Sequence, residues 1–487
     1  MMRNVVITSP VQPIGGVSPD IYSWDKSSKG MRMIMSFLHH PALAFLEANL
    51  PVKVLHYPTW EDFCKSLNPL PDVLGISFYI NETEQALAMA RHARKLGVKE
   101  IWAGNFGSYT PEIVSEFDHV VQGWGEAKLA QIMGLEPDVN TKLIHPEIYG
   151  VVGTNLFPRM LFSGTLFTSR SCPFTCNFCQ TPDFYGRATM VPLEEIERIV
   201  WTYKKRGVSG INILDENFGT FKQHAQEVVK ILHKNNLRWV ALTRVDTLRK
   251  NFEFWHEHGM FGAHLGIESL NDRSLSGASK RTDQHNNLDM LKLLGKHNMF
   301  AQIFYILGFE EDTPESIKED IQLLAEQDFD VAQIQVLTPY PRTEQRRLIE
   351  QKYGIFEFDL RKYNSRNLVW NHPNISPVQM KELQEWANNL ICTQKRVRRS
   401  MSKLGLYHGR ARMGLEGISM LMKQFGGEHG KLHREYQVKL AATRQWAKSG
   451  WFAYEEQQAS NTLSLSSAME TTSKLLRSAT IPIKVQQ

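Results

Sequence analysis

The chain has 487 residues, 42% hydrophobic and 22% charged, with a formal net charge of +5. That length exceeds one ordinary core and predicts two or three domains of globular composition. The charge is too small for this length to argue for nucleic acid as a general partner, and no apolar run approaches the roughly 18 residues that span a bilayer. The opening "MMRNVVITSP" reads as a strand rather than a secretory signal. Five cysteines, three of them clustered, make no disulfide framework, and a reducing cytoplasm is the expected compartment.

Residues 1–145 alternate strand and helix signals. "NVVITSP" (4–10), "VKVLHYP" (52–58), "DVLGISFY" (72–79), "EIWAGN" (100–105) and "HVVQG" (119–123) are short β-branched, apolar runs. Helix-period stretches such as "ETEQALAMARHARKLG" (82–97) lie between them. This order predicts a doubly wound parallel sheet. Its ligands would sit beyond the carboxyl ends of the strands, where the sequence is Pro- and Gly-rich.

Residues 155–350 repeat the alternation. Strands are expected in "RMLFSGTLFTS" (159–169), "GINILDE" (210–216), "RWVALTR" (238–244), "GAHLGIES" (262–269), "FAQIFYILG" (300–308) and "VAQIQVLTPY" (331–340). Amphipathic stretches, for example 193–207 and 314–328, separate them. Six strand–helix units predict a complete or partial parallel barrel with its chemistry at the strand carboxyl ends. From 351 to 455 the pattern is helical, and the Ser/Thr-rich 456–487 reads as a disordered tail. Within 393–413 seven Lys/Arg and no acid occur; this is either a solvated helical face or a contact with an anionic membrane surface.

The first barrel strand runs into "TSRSCPFTCNFCQ" (168–180), which places Cys172, Cys176 and Cys179 at C-x3-C-x2-C spacing. Structural zinc closes with four ligands, and no fourth Cys or His is near in sequence. A catalytic thiol with bystanders is a second reading. A cubane [4Fe–4S] cluster is the third: with three thiolates, one iron keeps an open position for a ligand. Phe178 would shield the cluster from water.

An aromatic before the third cysteine, after the first strand of a β/α barrel, resembles the radical S-adenosylmethionine (SAM) superfamily, and the resemblance runs over about 160–345. It implies that SAM chelates the open iron and is cleaved to methionine and a 5′-deoxyadenosyl radical. It also assigns candidate cofactor contacts. "LDENF" (214–218) offers Asp215 and Glu216 to the SAM amine, "RVD" (244–246) presents Arg244, and "GIES" (266–269) offers Glu268 or Ser269 to the ribose or carboxylate. "FYILGFEE" (304–311) resembles G-x-I-x-G-x-x-E, matching Ile306, Gly308 and Glu311, with Phe304 at the first position. Each has a plainer reading, since carboxylates after strands often cap helices and glycine often makes a turn.

The first domain resembles the cobalamin (B12)-binding domain of one subgroup of that superfamily. "AGNFGSYTPE" (103–112), with Gly104, and "VVQGWGEAKL" (120–129), with Gly123 and Glu126, carry that likeness. The loop "SPVQPIGGVSPD" (9–20) has no histidine for a lower cobalt ligand. The implied function is cobalamin-dependent C-methylation of an unactivated carbon, with a flavodoxin- or ferredoxin-type reductant and a small-molecule or lipid substrate. The alternative is radical cyclisation, rearrangement or oxidation of a tetrapyrrole, lipid or natural product. A non-catalytic metal-binding adaptor is the third reading.

Overall fold

The computed structural model describes residues 3–12, 33–37, 39–135, 143–154, 158–208 and 210–409. In chain order the first strands are β1 (Val5–Thr8), β2 (Met33–Phe37), β3 (Lys53–Leu55), β4 (Val73–Ser77), β5 (Glu100–Gly104) and β6 (His119–Val121). All except β2 form one parallel sheet of order β3-β1-β4-β5-β6. The central strands are apolar on both faces because helices cover both. Thus Leu74, Ile76, Ile101 and Ala103 pack with Ala86, Met89, Ala90 and Ala93 of the helix Thr83–Leu96. Gly97 ends that helix at φ 105°, a backbone only glycine takes without strain. The strand order reverses between β1 and β4, where a doubly wound sheet opens a crevice at its carboxyl edge.

The remaining strands are β7 (Ile148–Thr154), β8 (Pro158–Leu166), β9 (Ser169–Arg170), β10 (Thr189–Met190), β11 (Gly210–Ile213), β12 (Arg238–Arg244), β13 (Met260–Glu268), β14 (Phe300–Leu307) and β15 (Val331–Val336). β8 and β11 through β15 pair in parallel, as the six alternating runs predict. The sheet then continues through antiparallel β7 and β2, giving eight strands in the order β15-β14-β13-β12-β11-β8-β7-β2. Neither β7 nor β2 is expected from sequence. "MIMSF" has no polar alternation, and "IYGVVGT" carries two glycines; cross-strand pairing makes them strands. β2 therefore leaves the first 145 residues and joins the second sheet.

Of the C-terminal region, the helices Pro377–Ile391 and Gln394–Gly409 are described; the rest of 410–487, including the expected tail, lies outside the described residues. The second helix bears much of the basic stretch and turns part of it inward. The Arg396 guanidinium donates to the carbonyls of Ala325 (2.9 Å), Phe329 (2.6 Å) and Gln327 (3.2 Å). Lys403 Nζ donates to Met299 O (2.8 Å) and to the buried Asp330 (2.9 Å). Arg399 pairs with Asp328. These three cations complete orphan carbonyls and a buried carboxylate beneath the barrel, so this part of 393–413 is not simply a solvated helical face. Among the described residues no helix is long and apolar enough to cross a membrane.

Candidate active site

The three cysteines lie in the loop after β9, half-buried and unpaired by disulfides. Two elements fix that loop. From below, fully buried Asp215 accepts hydrogen bonds from Thr168 N (2.7 Å), Thr168 Oγ1 (2.5 Å) and Ser169 Oγ (2.7 Å). Asp215 is thus committed to bracing the approach to the cysteines. From the side, Asn177 Nδ2 donates to Gly277 O (2.8 Å), Gln180 Nε2 donates to Pro341 O (2.9 Å), and Gln345 N donates to Asn177 O (2.9 Å). Loops after β13 and β15 therefore close over the one after β9.

Among the described residues no three His, Cys, Asp or Glu side chains converge on a single-ion position. A cubane needs no such convergence, because each thiolate binds a different iron. Burial pushes the Cys179 thiol up to about 11 and raises Cys172 as well, so both are neutral until a metal displaces the proton. Arg244 is buried, its Nη1 stands 3.7 Å from Cys176 Sγ, and its guanidinium lies 4.2 Å over the Phe174 ring. Its Nε donates to Asp246 (2.9 Å), while its buried Nη2 has no protein partner. A guanidinium held against one sulfur with a donor left over suits an anionic sulfur cluster. Phe178 packs edge-on to Phe309, 6.2 Å between centroids, between the cysteine loop and the barrel core.

The other strand-end residues divide into two kinds. Glu268 sits at φ 66°, beside a register shift in β13, and a three-residue turn closes around it through Ser269 N to Ile267 O (2.9 Å). Non-glycine residues hold this conformation only where surroundings over-determine it, and such strain gathers at functional sites. Here Lys280 Nζ pairs with Glu268 Oε1 (2.7 Å) with both side chains buried, and a Cβ on Gly266 would meet them at 2.3 and 2.7 Å. Glycine in "GIES" makes room for this pair. Ser269 is buried and accepts from Asn271 N (3.0 Å).

Ile306 is core, and Gly308 takes φ 85°. Glu311 is exposed; the carboxylate that organises this loop is the next residue, Asp312. Its Oδ2 accepts from Gly308 N and Phe309 N (2.9 Å each), and its Oδ1 accepts from Ser274 Oγ (2.8 Å).

Between the two sheets lies a cavity of about 330 Å³, within the range of small-molecule sites. Its first wall is the carboxyl edge of β1, β4, β5 and β6: Ile7, Gly75, Ile76, Ala103, Gly104 and Val121, with Gly123 (φ 79°) and Gly125 beyond. A Cβ on Gly104 would come no nearer than 3.9 Å to any protein atom, so packing does not demand the glycine; the space it leaves belongs to the cavity. A flat ring suits such a floor, and the helix Gly125–Ile132 presents its N-terminus there.

The opposite wall is the barrel's: Phe167, Phe184, Tyr185, Leu214 and Glu216. Glu216 accepts from Thr181 Oγ1 (3.3 Å), two residues past Cys179. Burial pushes its carboxyl up to about 7, against the Thr181 hydrogen bond and with the Asp215 charge adding to the rise. Glu216 thus joins the cysteine loop to the cavity.

Glu126 does not face the cavity. It is buried and forms an ion pair with Arg170, just before the cysteine loop, whose guanidinium also lies 4.4 Å over Trp124. Trp124 stacks on Tyr185 at 4.4 Å. Sequence reasoning misses Arg170, Lys280 and Asp312 because their partners lie 44, 12 and 38 residues away.

Residues 166–349 match the model of the Radical SAM superfamily. The chain is similar to an uncharacterized methyltransferase of Pyrococcus horikoshii, 26% identical over 365 residues, which cover 67% of this chain and 80% of the relative. It is also similar to the anaerobic magnesium-protoporphyrin IX monomethyl ester cyclase of Cereibacter sphaeroides, 24% identical over 283 residues, 55% of this chain and 44% of the relative. The chain therefore spans less than half the length of that cyclase. Among solved structures it shares the fold of the radical SAM methyltransferase TsrM from Kitasatospora setae, bound to cobalamin and a [4Fe–4S] cluster. The TM-score is 0.54 at 14% identity, over 72% of this chain and 75% of that one. It also shares the fold of the cobalamin-dependent radical enzyme OxsB, bound to aqua-cobalamin and SAM, with a TM-score of 0.56 at 13% identity over 95% and 80%.

Proposed function

We propose that this chain, whose residues 166–349 belong to the radical SAM superfamily, is a cobalamin-dependent methyltransferase that acts on a carbon of a substrate held between its two sheets. When bound, a [4Fe–4S] cluster with SAM supplies a carbon-centred radical, and a corrin supplies the methyl group. The observation that carries the reading is the shared cavity: one wall is the glycine floor of the first sheet, and the other is the barrel edge that bears Glu216 and the cysteine loop.

The chain's own residues do the positioning. Cys172, Cys176 and Cys179 would hold the cluster, and Arg244 faces Cys176. Glu216 and the Glu268–Lys280 pair offer polar groups at the carboxyl ends of β11 and β13, where SAM would lie. Gly104, Gly123 and Gly125 leave the floor open, while Phe167, Phe184 and Tyr185 exclude water from the gap. The Glu126–Arg170 pair fixes the spacing of the two walls. The cyclase relative supports a second reading, in which the same radical rearranges or cyclises the substrate without methyl transfer.

The test uses anaerobic, iron-reconstituted protein incubated with cobalamin and desalted. Cluster absorption, retained corrin bands and dithionite-dependent 5′-deoxyadenosine are expected together, with deuterated methyl from SAM entering product. Deoxyadenosine and product of unchanged mass would support the cyclase-type reading; loss of the corrin on desalting would reduce the first sheet to a scaffold.

A further inference from the structure

The charged side chains among the described residues lining the cavity are all acidic. Glu147 and Glu216 reach it, and no Lys or Arg does. Glu147 is paired with Arg206 (2.6 Å). The Arg170 guanidinium is not a lining group: it is paired with Glu126 and lies against the rings of Trp124 and Phe45. Of the two lining histidines, His40 is held down to about 4 by burial and then by neighbouring His56, so it is uncharged at neutral pH. Its Nδ1 already accepts from Leu43 N (3.4 Å).

The barrel wall is otherwise aromatic and aliphatic. Phe184 and Tyr185 meet edge-on at 4.8 Å, and Phe167 packs edge-on to Trp124 at 5.9 Å. Among the described residues no Lys or Arg of the lining would meet a carboxylate or phosphate brought to this wall, which would lose its water against rings and aliphatic carbon. An ammonium would find one carboxylate set in rings, a site whose burial favours that carboxyl's neutral form. Hydrocarbon and aromatic surface, by contrast, is matched along the wall.

We propose that the substrate portion received by the barrel wall is uncharged and mainly hydrocarbon, which separates apolar lipids and neutral aromatic compounds from carboxylated tetrapyrroles, amino acids and phosphorylated metabolites. This rests on the preceding reading only in taking the cavity as the reaction chamber.

The test compares octanol, octanoate and octylamine on protein carrying cluster and cobalamin, by ligand-observed nuclear magnetic resonance. Octanol is expected to bind at least ten-fold tighter than either charged probe. Phe167→Arg should lower octanol binding and bring octanoate level with it or ahead. Leu214→Lys serves the same purpose on another part of the wall, and retained cluster absorption reports that each variant is folded. Octanoate or octylamine binding as tightly as octanol in the unaltered protein overturns the proposal, as does octanol binding that neither variant changes. The methyl-transfer reading fails separately, as deoxyadenosine formed without labelled methyl in product.

Discussion

The two large sheets of this chain treat the ends of their parallel strands in opposite ways. In the barrel the carboxyl ends are crowded with polar groups that hold one another: Asp215 with Thr168 and Ser169, Glu268 with Lys280, Asp312 with Ser274 and two backbone amides. In the first sheet the same edge is barer, with Gly104, Gly123 and Gly125 lining the cavity. A built edge suits a reactive centre whose geometry must not drift. A bare edge suits a large flat group that supplies its own polar atoms. The lesson is that one architecture serves both tasks, and the side chains at strand ends decide which.

This contrast can be broken from either side. Cys176→Ser should remove cluster absorption and reduce deoxyadenosine formation by a factor of about 10³ or more, on the scale of losing a required catalytic group. Corrin retention by the first sheet should persist, as read by its visible bands after desalting. Gly104→Leu should do the converse. Its side chain enters the cavity without meeting protein closer than 3.9 Å at Cβ, so stability should move by less than about 1 kcal/mol. Corrin retention should weaken at least ten-fold while uncoupled SAM cleavage continues.

A subtler probe is Arg244→Gln. Removing the cation beside Cys176 disfavours the more negative, reduced cluster. Redox titration followed by electron paramagnetic resonance should show a midpoint moved to more negative potential, with Arg244→Lys restoring part of the shift. A pH-dependent effect is expected at the seam between the sheets. Burial first, then the Arg170 charge, holds His145 down to about 3, against an ordinary value near 6.5. Its neutral form therefore contributes stability above pH of about 6.5, and that contribution is lost as pH falls toward 3, at about 1.4 kcal/mol per unit. His145→Gln should flatten this acid limb in melting temperature measured against pH.

How much of this was legible beforehand follows the range of the interactions. The strands of the first sheet and the six parallel barrel strands announce themselves as local apolar runs with helices between, and the cysteine triad needs only eight residues to be seen. β2 and β7 do not announce themselves, since their pairing joins Met33 to Thr154. At the site, sequence proposed both Asp215 and Glu216 without distinguishing them. The backbone separates them, turning Asp215 into the brace and Glu216 toward the cavity. Glu126 looked like part of a cofactor loop because its partner, Arg170, belongs to another sheet. The basic stretch read as a surface because Asp330 lies 73 residues before Lys403.

That last contact bears on the order in which the chain is made. The eight-stranded sheet begins at one edge with β2, which emerges early, and ends at the other with β15, whose first turn of backbone and buried Asp330 await the helix Gln394–Gly409. On a ribosome the first sheet holds all its strands once about 120 residues are free, whereas the barrel lacks the cation for Asp330 until residue 403 has left the exit tunnel.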